Sequence, residues 1–412
     1  VDHDINDIVI VGAGQSGAWA AKTLRDQGFT GSVTLIGDEI HLPYERPPLS
    51  KAVLLGLSEP DVCTMWPQER FAELGVQTEL GRQVEHIDLN ACNVVCKDGR
   101  SFRYDRALLA TGSRPRRLTC EGGGLKGVHY LRTIDDCLAI RGSLGPDARM
   151  VVVGGGWIGL EVASGLRARG AHVTVVEASG QLCGRSLPAS LSGYFLALHR
   201  EHGVDVMLDA RVRRIIGHRS VEGVELDDGS VLAATVVVVG IGAVPNDEIA
   251  KACGLEVGNG IVVDEHCRTS DTRIYACGDV TDQPLGTARI RLESWKNAQD
   301  QGIAAAKALL GASVAPQEMP WFWSDQFDIN FQMLGVVPAD AEQFRKPNGR
   351  GDGFIDYFLC EGEVRAVAAV NSPRELREAK RAIDKALPFS SNGLTAVGGP
   401  KSDAHDGLER RL

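Results

Sequence analysis

No stretch in the middle of this sequence is apolar for long enough to cross a bilayer. The longest run there, AATVVVVGIGAV at 233–244, is 12 residues, against the roughly 20 a spanning helix needs. An excess of positive charge is missing too: 44 Lys+Arg stand against 54 Asp+Glu, a formal charge of −10, which repels phosphate and argues against a nucleic-acid binder. The opening VDHDIND has no basic segment followed by an apolar one, so no signal peptide is expected and the expected location is cytoplasmic. The ten cysteines include no CxxC pair; scattered in this way they fit reduced thiols better than a disulfide framework. Cys92 and Cys96, the closest two, straddle an apparent hairpin, HIDLNACNVVCKDG, and read as ordinary strand residues.

Glycine is abundant, 48 in 412 residues, which implies many tight turns or close backbone approaches. The length suggests two or three domains. Two of the glycine clusters are informative. DIVIVGAGQSGAWAAKTLRDQGFTGSVTLIGDE (7–39) reads as strand, glycine turn, amphipathic helix and strand. Gly12, Gly14 and Gly17 form GxGxxG at the strand-to-helix turn, where the first glycine permits the bend, the second admits a pyrophosphate, and the third lets helix pack on strand. The unit recurs in ARMVVVGGGWIGLEVASGLRARGAHVTVVEAS (148–179), with Gly154, Gly156 and Gly159 displaced by 142 residues, 154 − 12. Two complete units imply two dinucleotides.

The copies differ at the residue that meets the ribose. In the second, Glu177 ends the strand HVTVVE, where a carboxylate accepts from ribose hydroxyls and repels a 2′-phosphate, so NAD is expected over NADP. In the first, Gly37 holds that position with Asp38 and Glu39 just beyond, and either acid could make the contact. Two further strands end in polar turns, ALLATGSRP at Thr111–Gly112 and RIYACGDV at Gly278–Asp279. Asp279, at a strand's C-terminal end, is placed to reach the hydroxyl-rich chain of a flavin. Between strands two and three lies ERPPLSK (45–51): the double proline, Pro47–Pro48, is expected to hold it stiff and extended. No cysteine occurs between residues 38 and 62.

Together VGAGQSG, YERPPLSK, LLATGSRP, YLRT, VVGGGWIGLE, VVVGIGAVPN, YACGDV, ESWKNAQDQG and PWFWSDQF resemble the oxygenase-coupled NADH:ferredoxin reductase family, of putidaredoxin reductase type. That family is a branch of the FAD-dependent pyridine nucleotide-disulfide oxidoreductase superfamily. The resemblance covers about residues 7 to 390. It implies an α/β fold of two Rossmann-like, glutathione-reductase-like dinucleotide domains and a C-terminal α+β domain. The FAD domain would be discontinuous, 1–115 and 247–320, around an NAD domain of 116–246, with 321–412 as the C-terminal domain. In that last part, GDGFIDYFLCEGEVRAVAAVN reads as a hairpin around Glu361–Gly362; a helix follows, with Ser372 as cap and Pro373 first. The tail TAVGGPKSDAHDGLERRL is expected to be poorly ordered.

The resemblance also implies roles. Lys51 would reach the flavin and pair with Glu161, and Trp323 would stand at the flavin edge toward the acceptor. Arg46, Pro47, Arg132, Val280 and Trp295 would line FAD, with Ser294 capping the helix that Trp295 opens. Gly242 and Arg185 would join Glu177 around NADH. The implied reaction passes electrons from NADH through tightly bound, non-covalent FAD to a [2Fe-2S] ferredoxin serving a cytochrome P450 or a ring-hydroxylating oxygenase. The cluster belongs to the partner, since these cysteines lack ligand spacing, and no metal site is expected. Arg289, Arg291, Lys296, Arg345, Lys346 and Arg350 are candidates for a basic patch that would meet an acidic ferredoxin. An NADH oxidase and an NADH-sensing flavoprotein of the apoptosis-inducing-factor type remain as alternatives. Against the first stands the cysteine-free loop; against the second, the lack of a targeting segment and of a long C-terminal insertion.

Overall fold

The computed structural model describes residues 5–145, 147–314 and 318–385, with the short strand Thr395–Ala396. The tail expected to be poorly ordered begins at Thr395; Thr395–Ala396 instead form a strand against Phe344 and Arg345, and the rest of it, 397–412, lies outside the described residues. The first unit is a parallel sheet. β1 (Asp7–Val11) is central, with β2 (Ser32–Ile36) and β3 (Val76–Glu79) on one side, and β4 (Arg106–Leu109) and Ile274–Ala276 on the other. The central strand β1 is a run of valine and isoleucine after Asp7, and β4 beside it buries Ala107, Leu108 and Leu109 in succession, because both faces are covered there. Helix α1 (Gln15–Asp26) buries Ala18, Ala20, Ala21 and Leu24.

The second unit repeats the plan. β6 (Arg149–Val153) is central, flanked by β7 (His172–Val176) and Asp205–Met207 on one side, and by β8 (Val236–Val239) and β5 (Val128–Tyr130) on the other. Helix α2 (Trp157–Ala168) follows β6 as α1 follows β1. The chain passes between the two sheets twice, and the two passages, Ser113–Pro115 and Ala243–Pro245, pair antiparallel.

Helix α4 (Trp295–Leu309) returns to the first unit and lies so close to α1 that a Cβ on Gly302 would stand 2.4 Å from the Ser16 carbonyl oxygen. The C-terminal part is an antiparallel sheet in the order β9 (Trp321–Gln326), β10 (Ile329–Gly335), β12 (Glu363–Val370), β11 (Phe354–Cys360), Glu342–Pro347, and Thr395–Ala396. Helix α5 (Pro373–Asp384) packs on it. Glu361 and Gly362 both take positive φ, 53° and 79°, in the two-residue turn between β11 and β12.

Three readings change. Pro47–Ser50 is a 3₁₀ turn and not an extended loop; proline fixes φ at a value both conformations share, and burial of Leu49 against Val53 and Leu54 favours the turn. Cys92 lies in the hairpin turn at φ 53°, while Cys96 is in the strand. Ser372 occupies the cap position of α5, yet its hydroxyl donates back to the Val370 carbonyl.

One hydrophobic core joins all three parts. Tyr44, Leu49 and Val53 of the first unit, Leu160 and Phe195 of the second, and Phe331, Phe358 and Val370 of the C-terminal sheet belong to the same buried cluster. That shared core fixes the loop of residues 44–54 against helix α2.

Candidate active site

The three glycines of each turn have three separate reasons. Gly12 has φ +115°, and a Cβ on it would lie 2.1 Å from the Ala110 carbonyl oxygen; Gly17 would place one 2.0 Å from the Gly12 carbonyl oxygen. Around Gly14 nothing lies within 4 Å of that position, so the backbone there faces open space. Gly154 and Gly159 repeat the two close approaches, at 2.4 Å from the Gly240 carbonyl oxygen and 2.2 Å from the Gly154 carbonyl oxygen. Gly14 and Gly156 hold the N-cap positions of α1 and α2 and supply no side-chain cap, which leaves the first N–H groups of each helix for an anion.

Around the first turn, Glu39 accepts from the Arg46 guanidinium at 2.8 Å and from the Tyr44 hydroxyl at 2.6 Å, so both of its oxygens are engaged. Burial, with Glu39 beside it, pushes the Tyr44 hydroxyl's pKa up. Asp38 is exposed. Arg46 also donates to the Arg132 carbonyl. The Arg132 guanidinium and the Ser113 hydroxyl both donate to one oxygen of Asp279, at 3.0 and 3.1 Å. Thr111 donates to the Asn246 carbonyl at 2.7 Å, beside Gly112 at φ +64°. Val280 is buried. The Gly278 N–H and Thr281 hydroxyl converge on Gln301 of α4. Several buried polar atoms here, Arg132 Nε, Trp295 Nε1 and both amide atoms of Gln15, lack a protein partner. Unpaired donors and an acceptor, an open Gly14 and a bare helix end fit a dinucleotide with a polar ring system.

The second turn opens a cavity of about 760 Å³ lined by Gly154, Gly155, Gly156, Trp157, Glu177, Ser179, Arg185 and Gly242 among others. Glu177 accepts from the Gly155 N–H at 2.7 Å, and from the N–H and hydroxyl of Ser179 at 2.8 and 2.7 Å. Its carboxylate is thus fixed at the cavity wall. Gly159 and Glu161 do not line this cavity.

Glu161, on α2, points instead toward the first unit. Its buried carboxylate accepts from Lys51 at 2.9 Å and from Ser50 on one oxygen, and from Ser324 of β9 at 2.7 Å on the other. Three aromatic rings stand nearby in sequence: Trp323 is met edge-on by Trp295 at 5.8 Å and stacked by Trp321 at 5.0 Å, while Phe322 faces Trp157 at 4.8 Å. Alternation along the strand explains the split. Trp321 and Trp323 share one face, and Phe322, Ser324 and Gln326 share the other. Ser50, Tyr44 and Ser324 were not singled out by the sequence; counting by twos along PWFWSDQ is the signal that separates Ser324 from Trp323.

Thiol chemistry is disfavoured beside this junction. Cys63, next in the chain after the cysteine-free segment, is buried against the loop, and burial raises its thiol's pKa. Burial likewise pushes Cys137 up to about 11. All ten cysteines are free, and no cluster of His, Cys, Asp or Glu able to hold a metal occurs among the described residues. Nor is a helix among the described residues long and apolar enough to cross a membrane. Of the basic candidates, Arg289, Arg291, Lys296 and Arg345 are each held by a carboxylate, from Asp282, Glu293, Asp300 and Asp356. Lys346 and Arg350 are exposed.

Two parallel sheets, each offering an open glycine turn and a bare helix end, define an oxidoreductase-type frame for two dinucleotides. The chain belongs to the pyridine nucleotide-disulphide oxidoreductase family, whose model matches residues 6–302, and a reductase C-terminal model matches residues 321–397. It is 41% identical to rhodocoxin reductase of Rhodococcus erythropolis, over 93% of this chain and 90% of that one. It is 39% identical to the ferredoxin–NAD(+) reductase component of the p-cumate 2,3-dioxygenase system of Pseudomonas putida, over 92% and 93%. Among solved structures it matches the covalent putidaredoxin reductase–putidaredoxin complex with a TM-score of 0.91 at 36% identity, covering 94% of this chain and 95% of that one.

Proposed function

We propose that this chain is a cytoplasmic, FAD-dependent NADH:[2Fe-2S] ferredoxin reductase whose ferredoxin serves a cytochrome P450 or a ring-hydroxylating oxygenase. One observation carries the reading: the loop of the first dinucleotide unit and the helix of the second are joined by Lys51 and the buried carboxylate of Glu161, while the thiols of Cys63 and Cys137 beside that loop are buried, with pKa values raised by burial. The kinship with reductase components of oxygenase systems supports it.

In this reading residues 1–115 and 247–320 form the FAD domain, 116–246 the NAD domain and 321–412 the C-terminal domain. Gly12, Gly14 and Gly17 with the α1 N-terminus hold the FAD pyrophosphate. Asp38, which is exposed, or Glu39, whose two oxygens accept from Tyr44 and Arg46 and each keep a further acceptor site, takes the adenosine ribose. Arg46, Pro47, Thr111, Gly112, Arg132, Asp279, Val280 and Trp295 line the remainder. Gly154, Gly156 and the α2 N-terminus hold NADH, with Glu177 on its ribose and Gly242 and Arg185 across the cavity. Lys51, oriented by Glu161, places a positive charge where the ring gains negative charge, and Trp323 stands between ring and acceptor.

A flavin supplies the one capacity no side chain has, that of accepting two electrons as hydride and releasing them singly. NADH and two oxidised ferredoxins then give NAD⁺, a proton and two reduced ferredoxins. Purified protein should release FAD on denaturation without proteolysis and be bleached anaerobically by one equivalent of NADH, with NADPH far less effective. Protein that carries no flavin, or that reduces a disulfide substrate in place of a ferredoxin, contradicts the proposal.

A further inference from the structure

We infer that Ser324 is a positioning residue for flavin reduction, acting through Glu161 on Lys51. The inference rests on the reading above, that FAD occupies the first cradle. Its basis is a directed hydrogen-bond chain that crosses the junction. His199, fully buried on helix α3 (Ala189–Glu201), sets Nε2 2.8 Å from the Gln326 side-chain oxygen. The Gln326 amide nitrogen donates to the Ser324 hydroxyl at 3.1 Å, and that hydroxyl donates to Glu161 at 2.7 Å. An amide oxygen only accepts, so the proton of His199 sits on Nε2 and every donor in the chain points toward the carboxylate.

Glu161 therefore has a division of labour between its oxygens. One takes Lys51 and Ser50, and the other takes Ser324. Ser324 does not bond Lys51, yet it sets the rotation of the carboxylate that does. Without its hydroxyl, one oxygen of a buried carboxylate loses its donor, and the group turns to share the donors that remain. Lys51 and the turn it ends move with it. Ser324 also neighbours Trp323 along β9 on the opposite face, so the same bond ties the tryptophan's strand to helix α2.

The test compares S324A and S324T with wild type as oxidised holoproteins. S324A is expected to retain FAD and to melt within a few degrees of wild type, since alanine fits the space of serine. Its flavin reduction at saturating NADH should slow about tenfold, while the NADH concentration giving half the maximal rate changes less than about twofold. The flavin midpoint potential should shift, and hydrogen exchange at the amides of Lys51, Val53 and Leu55 should accelerate. S324T, which keeps the hydroxyl, should restore all three. An S324A protein with wild-type reduction rate, potential and exchange at those amides overturns the inference and leaves the proposed function standing. A lower melting temperature with the rate and potential unmoved also overturns it, since that is a packing role alone. A wild-type protein that NADH does not reduce overturns both.

Discussion

Glu161 and Glu177 stand 16 residues apart in one unit, 177 − 161, and do opposite things. Glu177 is anchored by the Gly155 and Ser179 backbone at the cavity wall, whereas Glu161 is buried and reaches out of its unit to Lys51. The first was legible from spacing alone, because a strand end about 20 residues past the glycines is where a ribose lies. The partnership of the second was not: 110 residues separate Lys51 from Glu161, and only the family resemblance suggested the pair. Glu177→Ala should lower kcat/KM for NADH by about tenfold and narrow the preference over NADPH, measured by steady-state kinetics with both nucleotides. His199 gives a pH effect on stability. Burial holds its pKa below the ordinary value, with His202 adding to the depression and the Gln326 bond opposing it. The unfolded chain therefore takes up a proton at this residue, below a pH of about 6.5, that the folded chain refuses. Stability should fall as pH drops through that window, with a contribution of up to about 1.4 kcal/mol per pH unit from this group. Melting curves of wild type and His199→Asn between pH 7 and 5, values chosen to bracket that pKa, should show a shallower decline in the variant; equal slopes would contradict this.

At the scale of elements, the two strand–turn–helix units were legible because their glycines answer to backbone collisions and to open space, both of which leave a pattern in sequence. Gly12→Ala must force a Cβ to within 2.1 Å of a carbonyl oxygen at φ +115°, which should cost about 3 kcal/mol or more. Gly14→Ala meets nothing within 4 Å and should change apoprotein stability by no more than about 1 kcal/mol, yet deprive the pyrophosphate of its approach. Denaturant melts and FAD retention, measured on both variants, separate the two roles; equal stability losses would contradict the assignment. The PPLSK turn was misread because proline sets φ and leaves ψ open. Long-range packing of Leu49 in the shared core decides the rest, and no local pattern reports it. Ser372 was misread for a related reason, since a capping residue type does not dictate which backbone group its hydroxyl meets.

Over the whole molecule, one core ties the first unit's loop, the second unit's helix and the C-terminal sheet together, and the Lys51–Glu161–Ser324 contacts sit at that meeting. The sequence carried the two dinucleotide units and the C-terminal hairpin and helix, but not the joint, which is made of residues far apart in the chain. Charge is distributed in a way composition could not show: four of the six basic candidates are spent on internal carboxylates, leaving Lys346 and Arg350 exposed. All ten thiols are free and six are buried, and electrons leave one at a time for an external iron–sulfur protein. The direct test is to reduce the purified protein anaerobically with one equivalent of NADH and mix it in a stopped-flow cell with oxidised [2Fe-2S] ferredoxins. The account predicts that two equivalents of a suitable ferredoxin are reduced as the flavin regains its oxidised spectrum. Flavin that stays reduced before every ferredoxin yet is reoxidised by a disulfide would contradict it.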